Sequence, residues 1–155
     1  LHSLQAFSDS GAAAGMPGDV PAGVFSRSSG RTRVTLSVEG DFLRVDVAGE
    51  ALDQGIVDCF REAIAAGAVR ANMSTLVDLS NFTGGVDWPS IHAIADLIAW
   101  GSEPDRPSRV AYVTKSAWFS ALLKLVSILF PKSQHRQFSG VHNAIQWLNS
   151  GRPGN

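Results

Sequence analysis

Apolar and polar positions fall into a regular pattern from Arg33 onward. Val34, Leu36 and Val38 alternate with Arg33, Thr35 and Ser37; Leu43, Val45 and Val47 then alternate with Arg44 and Asp46. Period two on both sides of Glu39-Gly40-Asp41 predicts a hairpin, because successive side chains of a strand point to opposite faces. Gly40 supplies the positive φ that a tight turn needs. Past Asp53 the period lengthens. Ile56, Val57, Phe60 and Ile64 share one helical face, Asp53 can cap it, and Gly67 is a natural stop.

The same two periods carry on to the end. Ser74 to Leu79 is a short β-branched run and predicts a buried strand, followed by a turn over Asn81-Phe82-Thr83-Gly84-Gly85. Asp87 can cap a second helix, where Pro89 is tolerated in the first turn; Ile91, Ile94, Ala95 and Ile98 form its stripe and Gly101 ends it. Arg109 to Thr114 predicts another strand. A third helix, capped by Ser116, runs to Phe130 before Pro131. His135 to Phe138 is a short strand, and Ser139 can cap a last helix with the stripe Val141, Ala144, Ile145 and Leu148, stopped by Gly151. The order β-β-α-β-α-β-α-β-α makes this an α/β chain. Its mixed sheet of about five strands is packed with four helices, parallel through the crossovers and antiparallel at the opening hairpin.

Composition sets the limits of this picture. Of 155 residues, 45% are hydrophobic and 17% charged, enough to bury one domain's core. Residues 1–30, rich in Gly, Ala, Ser and Pro, are expected to be a flexible arm, and residues 31–150 the domain. A net charge of -1 without a long run of one sign argues against a nucleic-acid partner. The single Cys59 and the lack of a basic-then-apolar start fit a cytoplasmic protein.

The middle strand reads Thr75-Leu76-Val77-Asp78-Leu79-Ser80, and Asp87-Trp88 opens the next helix. Arg109-Val110-Ala111-Tyr112-Val113 follows as a strand, Trp118-Phe119 leads a helix into Phe130-Pro131, and Ala144-Ile145-Gln146-Trp147-Leu148 closes the pattern. In this order the pieces resemble the SpoIIAA-like family, the STAS-like relatives of bacterial anti-sigma-factor antagonists, over residues 33–149. The resemblance implies a SpoIIAA-like sheet and helices. It also implies a binding or regulatory role rather than a reaction, with a likeness to lipid-transfer domains. Partner-switching antagonists carry a phosphorylatable serine in an Asp-Ser-Ser-Gly-like turn. Here Trp88 stands beside Asp87 instead, and only Ser80, Thr83 and Ser90 are hydroxyls nearby. The resemblance therefore implies a module without the usual phosphoserine.

The third helix carries the strongest physical signal. At about 100° per residue, Ser116, Ser120, Lys124 and Ser127 fall within a wedge of about 80°, and the rest of the helix is apolar. A helix on a sheet needs an apolar stripe of only about 100°. The surplus predicts a ligand cleft or a dimer seam shared with the second helix, lined by Trp88, Ile91, Ala95, Trp118, Phe119, Leu122, Leu123 and Val126. Trp88, Trp100 and Trp118 suit a pocket mouth, and Lys115, Lys124 and Lys132 could meet an anionic head group. The expected partners are a small apolar, lipid-like ligand or a second copy of the chain, with membrane contact at most peripheral. The competing expectation is a STAS-type protein-interaction module.

Other chemistry is thin. Thr83-Gly84-Gly85 precedes a helix but lacks the lysine and spacing of a P-loop. His2, His92, His135 and His142 have no metal-ligand spacing, and Ser80, His92 and Asp78 form a triad only on paper, without a nucleophile elbow. Cys59 sits among Ile56, Val57 and Phe60 as a packing residue. No cofactor, metal or enzymatic activity is expected.

Overall fold

The computed structural model describes residues 24–150 except 30, 53, 71–72, 87, 99–107 and 132. Its elements are β1 (Phe25–Ser29), β2 (Thr32–Glu39), β3 (Phe42–Leu52), α1 (Gln54–Ala65), β4 (Ser74–Val86), α2 (Trp88–Ile98), β5 (Arg109–Val113), α3 (Trp118–Leu129), β6 (Gln134–Phe138) and α4 (Val141–Ser150). The strands form one sheet in the order β1-β2-β3-β4-β5-β6. The first three are antiparallel neighbours and the last three join in parallel. The β2–β3 hairpin closes through Gly40 at φ 62, with Glu39 opposite Phe42. This is the mixed α/β sheet that the alternation of periods predicts.

Side-chain parity divides the interior in two. Val34, Leu36, Leu43, Val45, Val47, Val110 and Tyr112 point to one face and meet Ile56, Val57 and Phe60 of α1, Ile94 of α2, and Phe119 and Val126 of α3. Leu76, Ala111, Val113 and Phe42 point the other way and meet Ala144 and Leu148 of α4. Three crossover helices thus share one face, and α4 returns to cover part of the other. Cys59 is fully buried in the larger core, and burial pushes its thiol up to about 11, which fits its reading as a packing residue.

Four expectations need correction. The sheet has six strands among the described residues, because residues 25–29 of the expected arm pair with β2 from Phe25↔Leu36 to Ser29↔Thr32. The turn expected over Asn81 to Gly85 is instead the second half of β4. There β3 runs on to Leu52 and offers backbone partners, Gly49 opposite Phe82 and Leu52 opposite Val86, with register shifts on the way. Gly84 permits that close approach, since a Cβ there would strike the Glu50 carbonyl; on the other side of β3, a Cβ at Gly49 would strike the Arg31 carbonyl at the start of β2. Ser116 does not cap α3; Ala117 holds that position in helical geometry, without a side-chain bond. At α4 the Ala144 N–H reaches the carbonyl of Gly140, the residue before the helix, rather than of Ser139. The other expected helix caps and stops at 53, 87, 101 and 151 lie outside the described residues, as do residues 1–23 of the arm.

Candidate functional site

The two central residues of β6 that face α3 fasten its two ends. Gln137 donates through Nε2 to the carbonyls of Thr114 at 3.1 Å and Ser116 at 3.4 Å, and its Oε1 accepts from Ser120 Oγ at 3.0 Å. His135, two residues earlier on the same strand face, holds the other end. Its Nε2 lies 3.2 Å from the Phe130 carbonyl, and its Nδ1 lies 3.1 Å from the Tyr112 hydroxyl. A carbonyl can only accept, so Nε2 carries a proton; in the neutral ring Nδ1 then accepts from the Tyr112 hydroxyl. Burial in this site favours the neutral imidazole. Burial lowers its pKa below the ordinary value, opposed by the Phe130 carbonyl, which favours the protonated ring. Burial likewise raises the Tyr112 phenol, so it stays a donor. Phe119 packs on Tyr112 with ring centroids 5.1 Å apart.

These fasteners decide which way α3 faces. Stepping about 100° per residue from Ser116, the buried Phe119, Val126 and Phe130 cluster at about 280–320°, and Ile128 stands at about 120°, nearly opposite. Ile128 is 70% exposed and Leu125 50%. With the exposed Ala121 they make a stripe at i, i+4 and i+7, and Lys124 lies beside it. The sequence-expected residues fall elsewhere. Phe119 and Val126 are core side chains at 3% and 5% exposure, and Leu122 and Leu123 are half-buried on the flanks of that core. Trp88, Ile91, Ala95 and Trp118 lie on described helical backbone, but their side chains fall outside the described residues, as does Trp100. The structure therefore brings Phe119, Leu122, Leu123 and Val126 together on the larger core, and the apolar surplus emerges at Leu125 and Ile128.

Charge is unevenly distributed along the chain. Residues 106–155 contain seven lysines and arginines and no aspartate or glutamate; the first 105 hold the other six cations and all 14 carboxylates. The net charge of -1 conceals a basic last third. Among the described residues the six ion pairs all involve arginines between residues 27 and 61. Arg44 alone meets Glu39, Asp46 and Asp78, on the sheet face that α4 leaves open. In the basic third, Arg109 bonds the Trp147 carbonyl at 2.7 Å and lies over its indole, and Arg136 lies over Phe138. Lys115 and Lys124 are exposed, and among the described residues neither has an ion pair.

The hydroxyls near the middle strand are engaged or buried. Ser80 Oγ donates to Asp78 Oδ1 at 2.6 Å, Thr83 Oγ1 to the Gly49 carbonyl at 3.3 Å, and Ser90 is 3% exposed. His92 is exposed on α2. Among the described residues no group of three or more His, Cys, Asp or Glu is placed to hold a metal ion, and no helix is long and apolar enough to cross a membrane.

With sheet order, paired cores and the exposed third helix established, the class is defined. A family model described as SpoIIAA-like matches residues 42–149, and the chain belongs to that family. The fold is shared with an uncharacterised protein of the DUF3478 family with a SpoIIAA-like fold from Shewanella loihica, at TM-score 0.52 and 16% identity over 79% of this chain and 98% of that one. An anti-sigma factor antagonist from Mycobacterium paratuberculosis aligns at TM-score 0.49 and 13% identity, over 76% of this chain and 94% of its own. No curated protein matches the sequence.

Proposed function

We propose that this chain is a non-enzymatic, STAS-type regulatory module that acts by binding another protein through α3, without a phosphoserine switch. The exposure of Leu125 and Ile128 carries the reading. Large aliphatic side chains standing outward on an otherwise well-packed domain mark a contact surface more often than a site of chemistry. Membership of the SpoIIAA-like family supports a binding role. A phosphate on Ser80 would meet the Asp78 carboxylate at once, which disfavours the switch. The carrier of a small apolar, lipid-like ligand, placed first by the sequence alone, now has less in its favour: Phe119 and Val126 of the expected cleft serve the core.

Native mass spectrometry of protein isolated from its own host tests this. We expect a defined complex with a second protein, lost when Leu125→Ser and Ile128→Ser are combined in a chain of unchanged helix content. A bound lipid-sized mass without a protein partner would favour the carrier. A kinase-dependent phosphate on Ser80, Thr83 or Ser90 would restore the switch.

A further inference from the structure

The partner's chemistry can be read from what surrounds the stripe. We infer that α3 docks an acidic amphipathic helix of a partner protein, aliphatic side chains on Leu125 and Ile128 and carboxylates against Lys124. This rests on the interaction reading above and specifies its partner.

Three observations support it. The stripe Ala121, Leu125 and Ile128 advances by i, i+4 and i+7, about 10 Å of helix at 1.5 Å per residue. That spacing accepts the ridge of a second helix, and the small Ala121 lets the axes approach. Lys124, beside the stripe, has no ion pair among the described residues, and after Asp105 the chain offers no carboxylate side chain. A partner that matches Lys124 brings its own negative charge. The ion pairs of the first two-thirds, by contrast, are already made within the chain.

Other occupants fit less well. In a two-fold dimer through this face each residue meets its own surroundings in reverse, which sets Lys124 of one copy near Lys124 of the other. A head-to-tail contact would need an apolar counterpart elsewhere, and the one other exposed large hydrophobic among the described residues is Val24. A membrane surface asks for more: stable attachment takes a lipid chain or a cluster of about four to eight basic residues, against Lys124 beside the stripe here.

The test is a photo-crosslink from the outermost position. Ile128→p-benzoylphenylalanine is introduced into the full chain in its own host, and the crosslinked peptide is sequenced. Ile128 is well exposed, so the fold should tolerate the change, and circular dichroism checks it. The expected product is another protein, joined through a segment with helical apolar periodicity and an excess of Asp and Glu. Adding Lys124→Glu should lower the yield by at least about fivefold, because like charges then face each other across the contact. A crosslink to a basic or uncharged protein segment, or a yield indifferent to Lys124→Glu, overturns this inference and leaves the interaction reading standing. Adducts confined to lipid, to a second copy or to the chain's own residues, or no adduct above that from position 61 on α1, overturn both.

Discussion

Helices α3 and α4 flank the same parallel strands on opposite faces, yet they use their side chains differently. α4 buries Ala144 and Leu148 fully, with Val141, Ile145 and Trp147 packed around them, and Trp147 rests on Phe138 at 5.6 Å. Its C-terminal turn is closed by Arg109, which bonds the Trp147 carbonyl and Ser150. α3 is held at its ends by the polar residues Gln137 and His135, so only part of its apolar surface is needed against the sheet. End fasteners of this kind let a helix stay oriented while aliphatic side chains remain outside.

The contrast can be broken most decisively at one residue on each helix. Leu148→Ala should lose about 2–5 kcal/mol by leaving a cavity, whereas Ile128→Ala should stay within about 0.5 kcal/mol of the parent. Urea unfolding of both variants decides it; equal losses would mean that Ile128 is covered. Next in size, Arg109→Ala removes a charged hydrogen bond from α4's last turn and should cost about 1–3 kcal/mol. Hydrogen exchange should quicken at the end of α4 and not in α3. The smallest effect is acid sensitivity at His135. Its folded pKa lies below the unfolded one, so the neutral ring's contribution is complete above about pH 6.5. As pH falls below that value the unfolded chain takes the proton first and stability drops. Urea midpoints between pH 7.5 and 5 should show this slope, and His135→Gln should flatten it; an unchanged slope would remove His135 as its source.

The sequence made most of the fold legible, since the strands near 33–38, 74–79 and 109–114 carry strong period-two or β-branched runs. It hid β1, whose Phe-Ser-Arg-Ser-Ser run is nearly all polar, and the far half of β4, where Asn81, Gly84 and Gly85 are poor strand formers. Both become strands because a neighbour supplies backbone partners, which no local propensity encodes. The apolar surplus of the third helix was legible; its direction was not. A helical wheel gives angles between residues but not the angle of the wheel to the sheet. Gln137 and His135 set that angle through bonds to residues 5 to 23 positions away along the chain. The absence of carboxylates after Asp105 was fully visible and needed only a count by segment rather than over the whole chain.

The sheet order has a consequence for the chain during its own synthesis. Each strand settles beside the one made just before it, so the sheet can grow in the direction of translation with short closures at every step. α4 steps furthest back: residues 141–150 return over Phe42, Leu76 and Ala111. Until that segment leaves the ribosome, one apolar patch of an otherwise finished sheet lies bare, and a nascent chain paused there is the form a chaperone would meet.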